Sequence, residues 1–189
     1  MRIPTETGAR CKQKPYRLSH KENEAFRRQL PILIQQQVVK KASGPTEFLP
    51  PVLFVPKPRN PDELRLCVDF RHLNDVTLRD YHGLPFIRDL QQSMKGCKYF
   101  TALDLTWGFW ALPIVEEDQH KTAFTGPDGE VYVWTKAPMG LANSPAAFQR
   151  LMEHVFQGIA GKQFMWMISL SSPRLGKNIC KHSAKYLTV

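Results

Sequence analysis

The chain has 189 residues, of which 42% are hydrophobic and 23% are charged, and this balance argues against wholesale disorder. Lys and Arg outnumber Asp and Glu by 26 to 17, which gives a formal net charge of +9. Such a charge favours a polyanionic partner, most commonly nucleic acid, and the alternative is a basic surface without one. The four cysteines are dispersed, which argues against a zinc site or a disulfide framework and fits reduced, intracellular thiols. Without a signal peptide or an apolar run of about 20 residues, we expect a soluble protein.

The first third of the chain predicts an arm, a helix and a loop. Residues 1–17 are polar and basic without periodicity and are predicted to form a linker or arm. Ser19 and Glu22 fit a capping box, and apolar residues follow at roughly helical spacing. Pro31 falls inside that pattern and predicts a kink or a break.

Two strands and a short helix are predicted next. Residues 52–55 form the first strand, and residues 64–70 form the second, in which apolar and polar positions alternate. The segment between them combines turn residues with cations. Pro85 opens a short amphipathic helix that Gly96 can end.

Asp104 stands at the end of an otherwise apolar, strand-forming run, residues 99–105. An ionised carboxylate in such surroundings is costly unless a cation or hydrogen bonds compensate it. A divalent metal is one candidate partner, and the alternative is that Asp104 caps the turn at Thr106.

The second half of the chain predicts a hairpin and a helix. Residues 121–124 and 131–134 flank a Gly-Pro-Asp-Gly turn, which is typical of a β-hairpin. A helix is predicted from Ser144, with a hydroxyl N-cap followed by Pro145. Hairpins without βαβ units indicate an α+β fold.

Several ordered segments resemble one known family. Residues 51–57 and 64–74 resemble the fingers of reverse transcriptases, most closely those of gypsy-class long-terminal-repeat retrotransposons. Residues 99–105 resemble the first catalytic strand of the palm, and residues 121–124 and 138–149 resemble two further blocks in the family's order. The resemblance implies the fingers and partial palm of a right-hand polymerase fold over residues 18–161, acting on an RNA or DNA template-primer and deoxynucleotides.

The resemblance also implies roles for particular residues. Asp104 is the first of the carboxylates that hold two Mg²⁺ ions for nucleotidyl transfer. Arg65 matches the cation that grips the nucleotide triphosphate, because a guanidinium can hold two phosphate oxygens. Lys57 and Arg59 are weaker candidates for that role, and for either the alternative is a solvated surface charge.

Two further positions match the nucleotide pocket. Phe109 matches an aromatic ring that excludes a ribose 2′-hydroxyl by collision, and the alternative is a core Phe. Met139 matches a nucleotide-pocket position, and the alternative is packing. Asp69 and Arg71 are predicted to form an internal ion pair rather than catalytic groups.

The family's second catalytic element, a Tyr-x-Asp-Asp hairpin, is missing from its expected place. No Asp or Glu follows Glu153. Met and Trp each have one codon, so residues 165–168 are encoded by ATG-TGG-ATG-AT plus one base. Read one base earlier, after a Phe164 codon ending in T, this spells Tyr-Val-Asp-Asp.

We therefore expect residues 162–189 to be an irregular, out-of-frame tail. The printed sequence also ends before any segment that resembles a thumb, connection or RNase H region. The leading interpretation is a fragment of a retrotransposon reverse transcriptase without polymerase activity. The alternative is a domesticated, non-catalytic nucleic-acid-binding module.

Overall fold

The computed structural model describes residues 1–57, 60–82 and 107–155, together with positions 88, 92, 95, 96, 105 and 157. Its strands are β1 (Cys11–Lys12), β2 (Val39–Lys41), β3 (Phe48–Leu49), β4 (Val52–Lys57), β5 (Asn60–Val68), β6 (Phe124–Thr125) and β7 (Val131–Trp134). Its α-helices are α1 (His20–Gln35), α2 (Arg71–Asp75), α3 (Glu116–Gln119) and α4 (Ser144–Val155). Two 3₁₀ turns span Gly108–Ala111 and His120–Thr122.

Helix α1 begins as the sequence predicts and continues through its proline. The Ser19 N–H donates to Glu22 Oε2 at 2.7 Å, and the Glu22 N–H donates to Ser19 Oγ at 3.3 Å, so the capping box is confirmed. Of the kink or break predicted at Pro31, the break does not occur, because the helix runs on to Gln35. Pro31 is exposed, whereas Phe26 and Leu33, on either side of it, are buried in the core. This packing offsets the one backbone hydrogen bond that Pro31 cannot make.

The end of α1 is a Schellman motif that carries an unusual residue. The Gln37 N–H donates to the Ile34 carbonyl at 2.9 Å, and the Val38 N–H donates to the Leu33 carbonyl at 3.0 Å. Gln37 has φ +55°, the left-handed conformation in which glycine is most common. Val38 and Leu33 both join the core, which fixes the turn.

Strands β4 and β5 form the antiparallel hairpin that the sequence predicts. Val52 pairs with Val68, and Val55 pairs with Arg65. The second strand begins earlier than predicted, at Asn60, and ends at Val68. Leu64 and Leu66 pack against the core from β5, as the predicted alternation requires, but Arg65 and Cys67 are also half-buried.

Strands β6 and β7 form the second predicted hairpin, and β2 extends it into a sheet of order β2-β7-β6. At the turn, a Cβ on Gly126 would lie 2.6 Å from Tyr132 Cε2, so only glycine fits there. The Tyr132 hydroxyl donates to Asp128 Oδ2 at 2.7 Å, and this bond is the first cause of the rise in the Tyr132 pKa to about 12. Lys121 and Thr122 belong to a 3₁₀ turn and not to the strand.

The N-terminal segment differs from the arm that its composition predicts. Ile3 and Cys11 are buried in the core, and β1 pairs in parallel with β3. The Ile3 N–H donates to Asp118 Oδ2 at 2.8 Å, and Lys121 Nζ donates to the Ile3 carbonyl at 2.7 Å. Isolated apolar residues among charged ones give no periodic signal, which is why the sequence does not reveal this packing.

The larger apolar core joins most of these elements. It takes residues from α1, β2, β4, β5 and the β6–β7 hairpin. The strand at 99–104 and the tail at 162–189 lie outside the described residues, as does the helix predicted from Pro85 apart from positions 88, 92, 95 and 96. Among the residues that are described, no helix has the length and apolarity needed to cross a membrane.

Replacing Gln37 by glycine tests the cost of its left-handed backbone. Gln37→Gly should raise the free energy of unfolding by about 1 kcal/mol, because glycine adopts this conformation without a Cβ clash. Urea denaturation at neutral pH measures the change. The neighbouring Gln36, with φ −78°, is the matched control, and Gln36→Gly should lower stability. A Gln37→Gly protein no more stable than the wild type would contradict this account.

Candidate functional site

Of the candidate site residues that the sequence identifies, four are described by the structure. These are Lys57, Arg65, Phe109 and Met139. Asp104, the predicted metal ligand and catalytic carboxylate, lies outside the described residues, as does Arg59. The roles given to all of them remain predictions.

Arg65 and Met139 meet although 74 positions separate them in sequence. Arg65 Nη1 lies 4.0 Å from Met139 Sδ, at the outer limit of a contact to this weak acceptor. Arg65 is half-buried on β5, and Met139 is 51% exposed. Within the described part of the chain, no carboxylate forms an ion pair with Arg65. Its guanidinium is therefore a cation beside a partly apolar, accessible surface.

Lys57 differs from Arg65 because it has a carboxylate partner. Lys57 Nζ lies 2.9 Å from Glu63 Oε2 at the turn end of the β4–β5 hairpin. This hydrogen bond and the charge of Lys57 lower the pKa of Glu63. The pair is partly exposed to solvent, so its net contribution to stability is small. An anion bound by Lys57 would have to compete with Glu63.

Two asparagines hold the loop that carries Met139. Asn74 Nδ2 donates to the Gly140 carbonyl at 2.8 Å, and the Ala142 N–H donates to Asn74 Oδ1 at 2.9 Å. Asn143 Nδ2 donates to the Leu78 carbonyl at 2.9 Å. Gly140, at φ +97°, supplies the left-handed turn between these contacts.

Sequence reasoning missed the role of both asparagines. They lie inside the segments that resemble the reverse transcriptase family, but an asparagine beside a predicted turn also reads as ordinary turn chemistry. Only the fold shows that Asn74 bridges two backbone groups of a loop distant in sequence.

Phe109 lies in the 3₁₀ turn Gly108–Ala111 and packs on α4. Its ring centroid is 5.6 Å from that of Phe148, with an interplanar angle of 77°, an edge-to-face arrangement. The ring is half-buried against a small cluster of Leu112, Ala137, Phe148 and Met152. A Cβ on Gly108 would lie 3.4 Å from the Phe148 ring, so the turn lies close to the helix. Met139 and Phe148 both belong to the segment 138–148, which therefore touches Arg65 at one end and Phe109 at the other.

Asp69 is a buried carboxylate with a full set of donors. Arg71 Nη2 donates to Asp69 Oδ2 at 2.6 Å, Arg71 Nε donates to Oδ1 at 2.9 Å, and the Tyr16 hydroxyl donates to Oδ2 at 2.9 Å. The Arg71 side chain hydrogen bonds are the largest cause that holds the pKa of Asp69 far below its usual range. The predicted internal ion pair is confirmed, and it ties the N-terminal segment to the start of α2.

The described carboxylates do not form a metal site. No group of three or more His, Cys, Asp or Glu side chains comes together in the described part of the chain. Asp118 lies 2.7 Å from Lys121 Nζ, Asp80 lies 2.6 Å from Arg150 Nη2, and Glu153 lies 3.1 Å from His82 Nε2. Each of these acids already has a protein partner.

The comparisons with known proteins agree on one family. The family described as "Reverse transcriptase (RNA-dependent DNA polymerase)" matches residues 55–178. The chain is 34% identical over 165 residues to the retrovirus-related Pol polyprotein from transposon opus of Drosophila melanogaster, covering 86% of this chain and 16% of that polyprotein. It is 31% identical over 148 residues to the enzymatic polyprotein of cauliflower mosaic virus (strain CM-1841), covering 77% of this chain and 21% of that polyprotein. The chain thus spans about a fifth or less of these relatives.

Solved structures give the same result for the fold. The native crystal structure of prototype foamy virus protease-reverse transcriptase matches with a TM-score of 0.72 and 30% identity, over 86% of this chain and 21% of that chain. The foamy viral protease-reverse transcriptase in complex with RNA/DNA hybrid matches with a TM-score of 0.69 and 27% identity, over the same shares of the two chains. The α+β architecture of the described residues is therefore that of the right-hand polymerase fold, as the sequence predicts.

The Asp69 ion pair predicts a defined pH dependence. Asp69→Asn should lower the free energy of unfolding by about 2 kcal/mol at pH 7, because a carboxylate bonded to a cation is replaced by a neutral amide. Since the folded-state pKa is depressed, the stabilisation is complete above the unfolded carboxyl pKa near 4 and is lost as the pH falls below it. The gap between wild type and variant should therefore narrow at pH 3.

Urea denaturation at pH 7 and pH 3 measures this gap. Asp75→Asn is the matched control, because Asp75 is exposed at the end of the same helix α2. Parallel pH profiles for the wild type and Asp69→Asn would rule out the assignment.

Proposed function

The chain belongs to the reverse transcriptase family, and we propose that residues 18–161 are the fingers and part of the palm of a gypsy-class long-terminal-repeat retrotransposon enzyme. The family match over residues 55–178 carries the proposal. Identity to the Pol polyproteins of the Drosophila transposons opus and 412, 34% in each case, supports a retrotransposon source.

The proposed substrates are a nucleic-acid template-primer and deoxynucleoside triphosphates. Arg65 binds the triphosphate, because its forked guanidinium matches two phosphate oxygens and no described carboxylate competes for it. Met139 supplies a polarizable, apolar wall beside that cation. Asn74 keeps the Met139 loop in place through the backbone of Gly140 and Ala142.

Phe109 is proposed to select the sugar. A ring that excludes a 2′-hydroxyl by collision has to be held rigidly, because a ring free to move would yield to the extra oxygen. The edge-to-face contact with Phe148 and the close approach of Gly108 to the same ring supply that rigidity.

The chain is proposed not to polymerise. Reverse transcriptases generally use divalent metal ions, and Mg²⁺ requires several hard oxygen ligands. Asp104 is the one carboxylate that the resemblance assigns to this role, and residues 163–174, where the family's Tyr-x-Asp-Asp hairpin is expected, contain no Asp or Glu. The residues present therefore do not fit a pair of metal ions.

A shifted reading frame is proposed for residues 162–189. The codons of residues 165–168 support it, because one base earlier they spell Tyr-Val-Asp-Asp if the Phe164 codon ends in T. The family match runs to residue 178, and it therefore continues beyond residue 162, where the shift is proposed to begin. The DNA sequence under codons 155–185 tests the shift, and an in-frame tail with its own splice control would favour a domesticated module instead.

A primer-extension assay tests the proposed loss of activity. The purified chain should bind a labelled template-primer, with an affinity that falls as salt rises, because bound phosphates release counterions. It should incorporate no deoxynucleotide with Mg²⁺ or Mn²⁺, because the carboxylate set is incomplete. Clear template-dependent extension would refute the loss of activity, and failure to bind any template-primer would refute the binding proposal.

Arg65 and Lys57 form a matched pair of cations for testing triphosphate binding. Arg65→Ala should weaken binding of a deoxynucleoside triphosphate to the template-primer complex by about tenfold, because a charged hydrogen-bond donor is lost. Lys57→Ala should change it by less than about twofold, because Glu63 already holds Lys57. Equilibrium titration of a fluorescent triphosphate measures both, and equal losses in the two variants would contradict the assignment.

A further inference from the structure

Trp107 has a backbone conformation that helix capping does not explain. In the described part of the chain, Gln37 and Trp107 are the non-glycine residues with positive φ. Gln37 ends helix α1 in a Schellman motif, so its conformation has a structural cause. Trp107, at φ +58° and ψ +37°, precedes the 3₁₀ turn Gly108–Ala111, and its side chain makes no capping hydrogen bond. A bulky residue in this region is an outlier, and such strain concentrates at functional sites.

The side chain of Trp107 forms an exposed aromatic stack. Its ring centroid lies 4.1 Å from that of Trp110, and the two planes are within 11° of parallel. Trp110 packs against the main core, so it backs the outer indole. Trp107 nevertheless remains 54% exposed. The strained backbone thus holds a large flat ring on the surface with a fixed orientation.

A single exposed aromatic residue would need no explanation, and Tyr81 is such a residue. Tyr81 is 93% exposed and belongs to none of the aromatic pairs of the described residues. Trp107 differs by its stacked partner, by its strain and by its place two residues before Phe109.

We propose that the outer face of Trp107 is a stacking site for an unpaired nucleobase of a bound single strand. This inference rests on the nucleic-acid binding proposed above. Every base has a π-face, so an indole can stack on any of them without reading sequence. The net charge of +9 attracts the phosphates of the same strand, and the fixed ring reduces the ordering cost of binding.

The test uses the full chain and a labelled single-stranded oligothymidylate, with fluorescence anisotropy as the readout. Trp107→Ala should weaken binding by about 5- to 150-fold, the range for loss of one base–aromatic stack. The slope of affinity against salt should stay unchanged, because no phosphate contact is removed. Tyr81→Ala is the matched control and should bind as the wild type does.

Two further measurements separate stacking from other causes. Trp107→Gly removes the ring and also relieves the strain of the left-handed backbone. It should lose affinity for oligothymidylate as Trp107→Ala does, and it should be at least as stable as Trp107→Ala. An abasic strand of equal length should bind the wild type and Trp107→Ala equally, because neither complex can form the stack.

Each contrary outcome has a distinct meaning. Equal oligothymidylate affinity in wild type and Trp107→Ala would overturn the stacking site and leave nucleic-acid binding intact. Free thymidine triphosphate is titrated as a third ligand. If Trp107→Ala weakened binding of this nucleotide but not of oligothymidylate, the assignment to a strand would be overturned. If the wild type bound neither oligothymidylate nor the template-primer, the binding proposal and the stacking site would both be overturned.

Discussion

The candidate site depends on the hydrogen bonds that the side chains of Asn74 and Asn143 make to backbone groups distant in sequence. A primary amide carries a donor and an acceptor, so one side chain can pair with backbone groups as a neighbouring strand would. Asn74 does this for the loop at Gly140 and Ala142, and Asn143 does it for the segment at Leu78 and Asp80. Because the loop leads directly into α4, fixing it also fixes the helix start. Met139 is thereby held beside Arg65, while Phe148, one turn into α4, supports Phe109.

The parts of the fold that the sequence predicts correctly are those with a local cause. The capping box of α1 involves residues three positions apart, and the β6–β7 hairpin is specified by a turn that only Gly126 can occupy. In strand β5, the apolar residues Leu64 and Leu66 of the predicted face pack against the core. Two of the differences from the predicted structure have non-local causes. The helix continues through Pro31 because the residues of α1 on either side of it are buried in the core. Ile3 is buried where side chains of α3 and of the following 3₁₀ turn hydrogen bond its backbone N–H and carbonyl.

The same distinction applies to the site. The resemblance to reverse transcriptases identifies Arg65, Lys57, Phe109 and Met139 as candidates, but only tertiary structure separates them. Pairing with Glu63 distinguishes Lys57 from Arg65, and that pair exists because antiparallel pairing of β4 with β5 brings the residues next to the turn together. Local sequence cannot reveal that the asparagines act as loop clamps, since an amide that bonds its own turn and one that bonds a distant loop look alike in sequence.

Charge on this molecule separates binding from catalysis. Several described acids are individually neutralised, as Lys40 neutralises Glu116 and Lys41 neutralises Glu130, so they add little to the long-range field. The surplus of basic residues that gives +9 acts at longer range and requires no exact geometry. A pair of divalent ions, in contrast, requires several carboxylates placed to within a fraction of an ångström. The proposed loss of the hairpin would remove negative charge from the site, so it would abolish metal binding and strengthen the attraction for a polyanion. Affinity for nucleic acid can therefore outlast polymerisation in such a chain.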